Sequence, residues 1–215
     1  EEPLVVNSQT SFQPMYSPDG KEVAFLENRT TLRVINLKNK QVRTVLDGKY
    51  NYSYADGDQY YQWSPDSKWF LAKYIAIGGW NNTDIGSGEM TNLTESGYSD
   101  NNAKWVLDGK AMIWSSDRAG YRSHGSWGAE DDIYIMFFDG EAYDKFRLTK
   151  EEQALLDEEK EDKDKDEKDK DSKKDKDKDD DKKDEKADKP VEPLKFDLAN
   201  RKDRIMRLTV NSSFL

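Results

Sequence analysis

Short apolar runs set off by turn residues, rather than long helical stripes, organise this chain. Val23-Ala24-Phe25-Leu26, Trp69-Phe70-Leu71 and Ala111-Met112-Ile113-Trp114 each follow a tight-turn signal: Ser17-Pro18-Asp19-Gly20, Ser64-Pro65-Asp66-Ser67 and Leu107-Asp108-Gly109. Pro presets φ at the first central position of such a turn, and Asp and Gly tolerate the bend. In the third copy Leu107 replaces Pro, but Asp-Gly keeps the turn signal. Each unit therefore predicts a β-hairpin, with an aromatic (Tyr16, Trp63 or Trp105) closing its first strand. From Asp19 to Asp66 is 47 positions and from Asp66 to Asp108 is 42. A four-stranded propeller blade repeats at about 40–50 residues, so the pattern predicts an all-β chain: a partial β-propeller of four-stranded antiparallel blades.

The rest of the first unit fits that prediction. Leu32, Val34, Ile35 and Leu37 mark a third strand, Asn39-Lys40 turns the chain, and Val42 to Leu46 alternates as an outer strand would. Similar endings recur at Leu93-Thr94, Leu148-Thr149 and Leu208-Thr209. In the third unit Asp132 to Phe138 forms a long strand, preceded by a long loop from Ser115 to Asp131. The second unit looks defective. After Ile77 only Asp84-Ile85 precedes Gly86-Ser87-Gly88. The pattern predicts that a strand of about five residues is absent near Ile85–Gly86, through residues skipped in the chain rather than a truncated blade. Glu151 to about Lys160 reads as a helix anchored by Leu148, Leu155 and Leu156. Leu194 to Leu198 and Arg204 to Val210 read as the start of a further blade. The expected organisation is thus blades over 1–150, a helical start and charged insertion over 151–190, and another blade from 191. A closed propeller has about 4–8 blades, so the 215 residues are expected to be a section of a longer polypeptide.

Charge changes this picture less than its total implies. The net charge is -10 and 36% of residues are charged, which for a uniform chain would oppose folding. From Asp157 to Lys189, however, every residue is Asp, Glu or Lys except Ser172 and Ala187. That block reads as a solvated insertion, disordered or transiently helical, and the remainder is rich in strand-forming residues. There is no cysteine, which excludes disulfides and thiolate metal sites. The acidic balance argues against a nucleic-acid partner. No run approaches the roughly 18 apolar residues of a membrane span.

Candidate chemistry is sparse. Nucleophilic hydrolysis needs a nucleophile, a base and an orienting group. His124, between Ser123 and Ser126, is the single histidine. It reads as a loop histidine bonding between blades rather than as a base. No Gly-x-Ser-x-Gly elbow is present. Asp56-Gly57-Asp58 and Glu130-Asp131-Asp132 have carboxylates for calcium, but such a site takes six or more oxygens, and turn chemistry is the preferred reading. Interleaved lysines would neutralise any ion cluster, so a solvated linker rather than a cation store is the preferred reading of the charged block. Tyr50, Tyr52, Tyr54, Tyr60 and Tyr61 fall in an inter-blade connection, where they either pack or bind peptide, packing being preferred. The aromatics Tyr16, Trp63 and Trp105 are expected to pack between blades. No catalytic, cofactor-binding or metal residue is assigned.

The Ser-Pro-Asp repeats resemble those of TolB-like proteins and tricorn-like peptidases. The likeness to the second group is closer. It rests on Tyr52-Ser53-Tyr54-Ala55-Asp56-Gly57-Asp58, Trp63 to Trp69, Ser116-Asp117-Arg118, Arg122 to Gly128, Met136-Phe137-Phe138, Leu148 to Glu152 and the charged insertion that follows. In that order these segments resemble the exported tricorn-like serine peptidases of bacteria. The resemblance implies a propeller that gates or filters a peptide or protein substrate. It also implies a downstream PDZ-like and peptidase region in the same polypeptide and a periplasmic location. No residue here matches that family's catalytic motifs. The alternatives are a non-enzymatic TolB-like module that binds protein partners, and the propeller cap of a prolyl-oligopeptidase-like enzyme.

Overall fold

A computed structural model describes residues 3–50, 60–74, 82–86, 90–122, 128–158 and 193–213. Three antiparallel sheets follow one another along the chain, each of four strands in sequence order. The first holds β1 (Ser11–Tyr16), β2 (Glu22–Glu27), β3 (Thr31–Asn36) and β4 (Val42–Leu46). The second holds β5 (Tyr61–Trp63), β6 (Phe70–Tyr74), β7 (Asn82–Gly86) and β8 (Met90–Asn92). The third holds β9 (Asp100–Val106), β10 (Ala111–Ser116), β11 (Asp132–Phe137) and β12 (Ile205–Arg207).

The continuous apolar runs follow from face-to-face packing. Successive strand residues point to opposite faces, and a sheet lying between two others must be apolar on both. Ala24, Leu26, Leu32 and Val34 of the first sheet meet Tyr61, Trp63, Phe70 and Ala72 of the second. Leu71, between Phe70 and Ala72, points the other way and joins Leu93 against Met112, Trp114 and Met136 of the third. Burying a side chain such as Phe70 or Leu71 stabilises by about 1.5–3 kcal/mol. The outer face of the first sheet, with Val23, Phe25 and Ile35, is covered by Val5 and Leu37. The three sheets are blades of a partial β-propeller.

The repeated turns join the first two strands of each blade, but they are not chemically identical. In the first, Gly20 N donates to Ser17 O (2.9 Å), and Asp19 Oδ1 accepts from Ser17 Oγ (2.7 Å) and Lys21 N (3.1 Å). The second repeats this: Ser67 N donates to Ser64 O (3.0 Å), while Asp66 Oδ1 accepts from Ser64 Oγ (2.6 Å) and Lys68 N (3.2 Å). Gly20 and Ser67 both have left-handed backbone, φ 69° and 62°. Glycine would adopt it more readily, but the Ser67 hydroxyl accepts from Asp19 N (3.0 Å) and ties the two turns together. The third turn differs. Leu107 and Asp108 have φ 52° and 54°, and Lys110 N donates to Leu107 O (3.0 Å). Proline, locked near −65°, cannot stand at Leu107, and Val106 occupies the position of Ser17 and Ser64.

Two expectations are corrected. The second blade is four-stranded as the chain stands, because β7 pairs with β6 from Phe70↔Gly86 to Tyr74↔Asn82 and β8 pairs with β7. Ile85 and Gly86 therefore lie inside a strand rather than beside a missing one. Asn, Asp and Gly have weak strand propensity, so pairing with β6 rather than local preference makes this strand. Likewise, residues 205–207 do not found a new blade. They pair with β11, Tyr134↔Arg207 to Met136↔Ile205, and complete the third sheet.

Residues Gly140–Pro190 separate as a second compact unit. It contains α1 (Gly140–Arg147) and α2, helical over the described residues 150–158. Leu148-Thr149 opens this second helix rather than ending a blade. Glu152 N donates to Thr149 Oγ1 (3.2 Å) and Thr149 N to Glu152 Oε2 (2.8 Å), a reciprocal capping box.

Candidate binding face at the loop end of the third blade

The loop from β10 to β11 starts from a narrow neck. Glu130 N donates to Tyr121 O (2.9 Å), and Arg122 and Ala129 form an isolated antiparallel bridge. A Cβ on Gly120 would lie 1.8 Å from Glu130 O, so only glycine lets the two legs approach.

Four carboxylates gather around this neck, and three are matched by arginines. Asp100, fully buried at the start of β9, accepts from Trp114 Nε1 (3.1 Å) and Arg118 Nη2 (3.1 Å). The Arg118 guanidinium lies 5.4 Å from the Trp114 ring centre and 4.8 Å from that of Tyr134, and its Nε donates to Ser116 Oγ (3.0 Å). Asp117 accepts from Ser99 N (2.9 Å) and pairs with Arg122 (3.4 Å). Arg122 in turn stacks 4.4 Å over Tyr98. Asp132, also fully buried, accepts from Arg207 Nε (2.9 Å), Thr209 Oγ1 (2.6 Å) and Ser212 Oγ (2.9 Å). Its burial works to raise the carboxyl pKa, but the bonds from Thr209, Ser212 and Arg207 hold it below the usual value. Asp131 goes the other way. Burial first, and then the Asp117 charge, push it up against a bond from Ser115.

This arrangement spends its charge internally. The Asp132 carboxylate of the Glu130-Asp131-Asp132 run is filled by three donors, so capping rather than cation binding describes it. Among the described residues, no group of three or more His, Cys, Asp or Glu is placed to hold a metal ion. What the loop end presents outward is aromatic: Tyr121 is 70% exposed and Tyr98 39%, with Arg122 beside Tyr98. Tyrosine and arginine are, with tryptophan, the residues enriched where protein-binding energy concentrates.

The other sequence candidates are distributed elsewhere. Trp63 packs between the first and second blades as expected, 5% exposed, with Nε1 donating to Met15 O (3.2 Å). Trp105 packs at the second seam, its ring 5.7 Å from that of Phe138. Tyr16 does not pack and is 68% exposed, since no described sheet lies on its side of the first blade. Tyr61 is buried, bonded to Gln13 O and to Ala24 O (3.3 Å), and burial pushes its hydroxyl up to about 12. His124, Asp56, Asp58, Tyr52 and Tyr54 lie outside the described residues. Sequence reasoning missed Asp100 and Arg207 as charge partners. Arg118 carried a signal within Ser116-Asp117-Arg118, but not its partner.

No family model matches the chain, and no curated protein does. Among solved structures it is similar to TolB from Acinetobacter baumannii, at 20% identity and TM-score 0.44 over 64% of this chain and 32% of that one. It is also similar to a putative TolB from Agrobacterium tumefaciens, at 19% identity and TM-score 0.42 over 64% of this chain and 46% of that one. The crystal structure of the tricorn protease aligns over 97% of this chain and 18% of its own, at 10% identity and TM-score 0.55. The chain thus spans less than half of each of these proteins. The last likeness supports the same fold, a section of a β-propeller.

Proposed function

We propose that this chain is the propeller section of a secreted tricorn-like serine peptidase, exported to the periplasm. There it gates or filters peptide substrates for a catalytic domain elsewhere in the polypeptide. The observation that carries this reading is the order of segments from Tyr52 through Trp63–Trp69, Ser116-Asp117-Arg118 and Met136-Phe137-Phe138 to the charged insertion. The loop end of the third blade suits such a role, with Tyr98, Tyr121 and Arg122 available to a passing chain. No cofactor is invoked.

The test is to follow the reading frame beyond Leu215 and to treat the full polypeptide with a fluorophosphonate probe, which labels activated serines. A downstream peptidase segment that takes the label is the expected result. Tyr121→Ala with Arg122→Ala should then change cleavage of long peptides more than of short ones. A reading frame without a peptidase segment would end this proposal. It would favour a TolB-like module that binds protein partners, a reading motivated by the Ser-Pro-Asp turns at Asp19 and Asp66.

A further inference from the structure

The segment 193–213 is held as a peptide is held in a groove. Its exposure alternates: Pro193, Lys195 and Asp197 face out while Leu194, Phe196 and Leu198 turn in. Phe196 sits 5.0 Å from Trp69 of the second blade and 5.1 Å from Phe138 of the third, ring centre to ring centre. Backbone contacts hold the same stretch. Leu194 N donates to Asp66 Oδ2 (2.9 Å), and Asp197 N to Phe138 O (2.9 Å). Asp66 thus serves its own turn with one oxygen and this segment with the other. Next come two buried arginines used as staples. Arg201 donates to Leu93 O (3.0 Å) and Asn92 O (2.9 Å), and Arg204 to Phe137 O (3.1 Å). Then β12 adds to the open edge of β11, and the Asp132 carboxylate gathers Thr209 and Ser212.

This combination is that of a separate ligand. Main-chain pairing on a sheet edge supplies affinity, and alternate side chains in pockets supply selectivity. All of these contacts are to residues before Asp139, whereas the covalent link runs through residues 140–190, which form a unit of their own. Covalent linkage of this kind sets the effective concentration of a ligand.

We propose that residues 193–213 are a self-contained docking peptide, and that their seat on the second and third blades accepts the same segment from a second copy of this chain. Exchange of an identical element is a low-cost route to a dimer, and a linker of some fifty residues leaves room for it. At low concentration the tethered copy wins, because covalent linkage gives it an effective concentration above that of a free copy.

The test uses the full chain with a site-specific protease sequence substituted inside the block Asp157–Lys189. After cutting, both pieces should co-elute on gel filtration with the circular dichroism of the uncut chain. The cut chain is then unfolded in urea and refolded with a tenfold excess of isotope-labelled peptide 193–213. The label should occupy about ten of every eleven seats, while labelled peptide carrying Arg201→Ala and Arg204→Ala should be taken up at least tenfold less. Release of the segment on cutting, loss of the fold on cutting, or equal uptake of the two peptides would each overturn the proposal.

Discussion

Asp131 and Asp132 are adjacent in sequence, yet their surroundings drive their carboxyls in opposite directions. Asp132 is held below the ordinary aspartate value by hydrogen bonds that outweigh its burial. Its stabilising contribution is therefore present above the unfolded pKa and is lost as pH falls through the lower folded value. Asp132→Asn should cost about 1.5–3 kcal/mol at pH 7, the range for hydrogen bonds to a charged group. Asp131 is raised, first by burial and then by Asp117. Its ionisation opposes folding, and that effect appears as pH rises from the unfolded value of about 3.8 through the folded one. Asp131→Asn should therefore raise the urea midpoint at pH 7 and leave it nearly unchanged at pH 3. Urea titrations of both variants at the two pH values check the pair, and a fall in stability for Asp131→Asn at pH 7 contradicts the assignment.

At the scale of elements, the seam between the first two blades depends on Trp63, whose ring lies 4.0 Å from that of Phe70. Trp63→Ala should cost about 3–5 kcal/mol, the range for emptying a buried aromatic site. Trp63→Phe should cost less, losing mainly the bond to Met15 O; chemical denaturation separates the two. Gly120→Ala should open the neck of the third-blade loop, because its Cβ falls on the Glu130 carbonyl. Loss of amide-exchange protection at Glu130 would report it, and unchanged protection would count against the close approach. The hairpins that carry Asp19, Asp66 and Asp108 were legible in the sequence because turn chemistry is local. Strand β7 was not, because Asn82 to Gly86 acquires its conformation by pairing with β6. Strand β12 was misread for a related reason. Its partner β11 lies on the far side of the charged insertion, and no pattern in Ile205-Met206-Arg207 points back across it. The arginine–carboxylate pairs of the loop end were equally hidden, since Asp132 and Arg207 meet only once that strand is placed.

For the molecule as a whole, the proposed division of labour makes a negative prediction. The 215-residue chain alone should not cleave peptides, and His124→Ala should leave that background unchanged. Cleavage by the purified chain that disappears with His124→Ala would assign chemistry to the propeller itself. Acid should act on the chain mainly through carboxylates held low by their partners. Glu95 is one such group, lowered first by its bond from Lys202 and then by Arg201; Asp197, bonded to Asn200 and Arg204, is another. Both partner sets lie in the C-terminal segment, as do those of Asp132, whereas Asp19 is the one described carboxylate of the first blade held low; the C-terminal segment should therefore loosen before the first blade as pH falls below about 4. Residue-resolved exchange during acid titration checks the order.

The placement of the outermost strand of the third sheet has a consequence for biosynthesis. After Phe137 leaves the ribosome, residues 138–204 must still emerge before β12 can follow. At about 5–20 residues per second this takes several seconds. Throughout that interval the nascent third sheet offers an unfilled edge and an empty aromatic seat to whatever else is nearby. A holding chaperone that recognises extended apolar strands would meet this chain at that moment, and its protection would end when the late strand arrives.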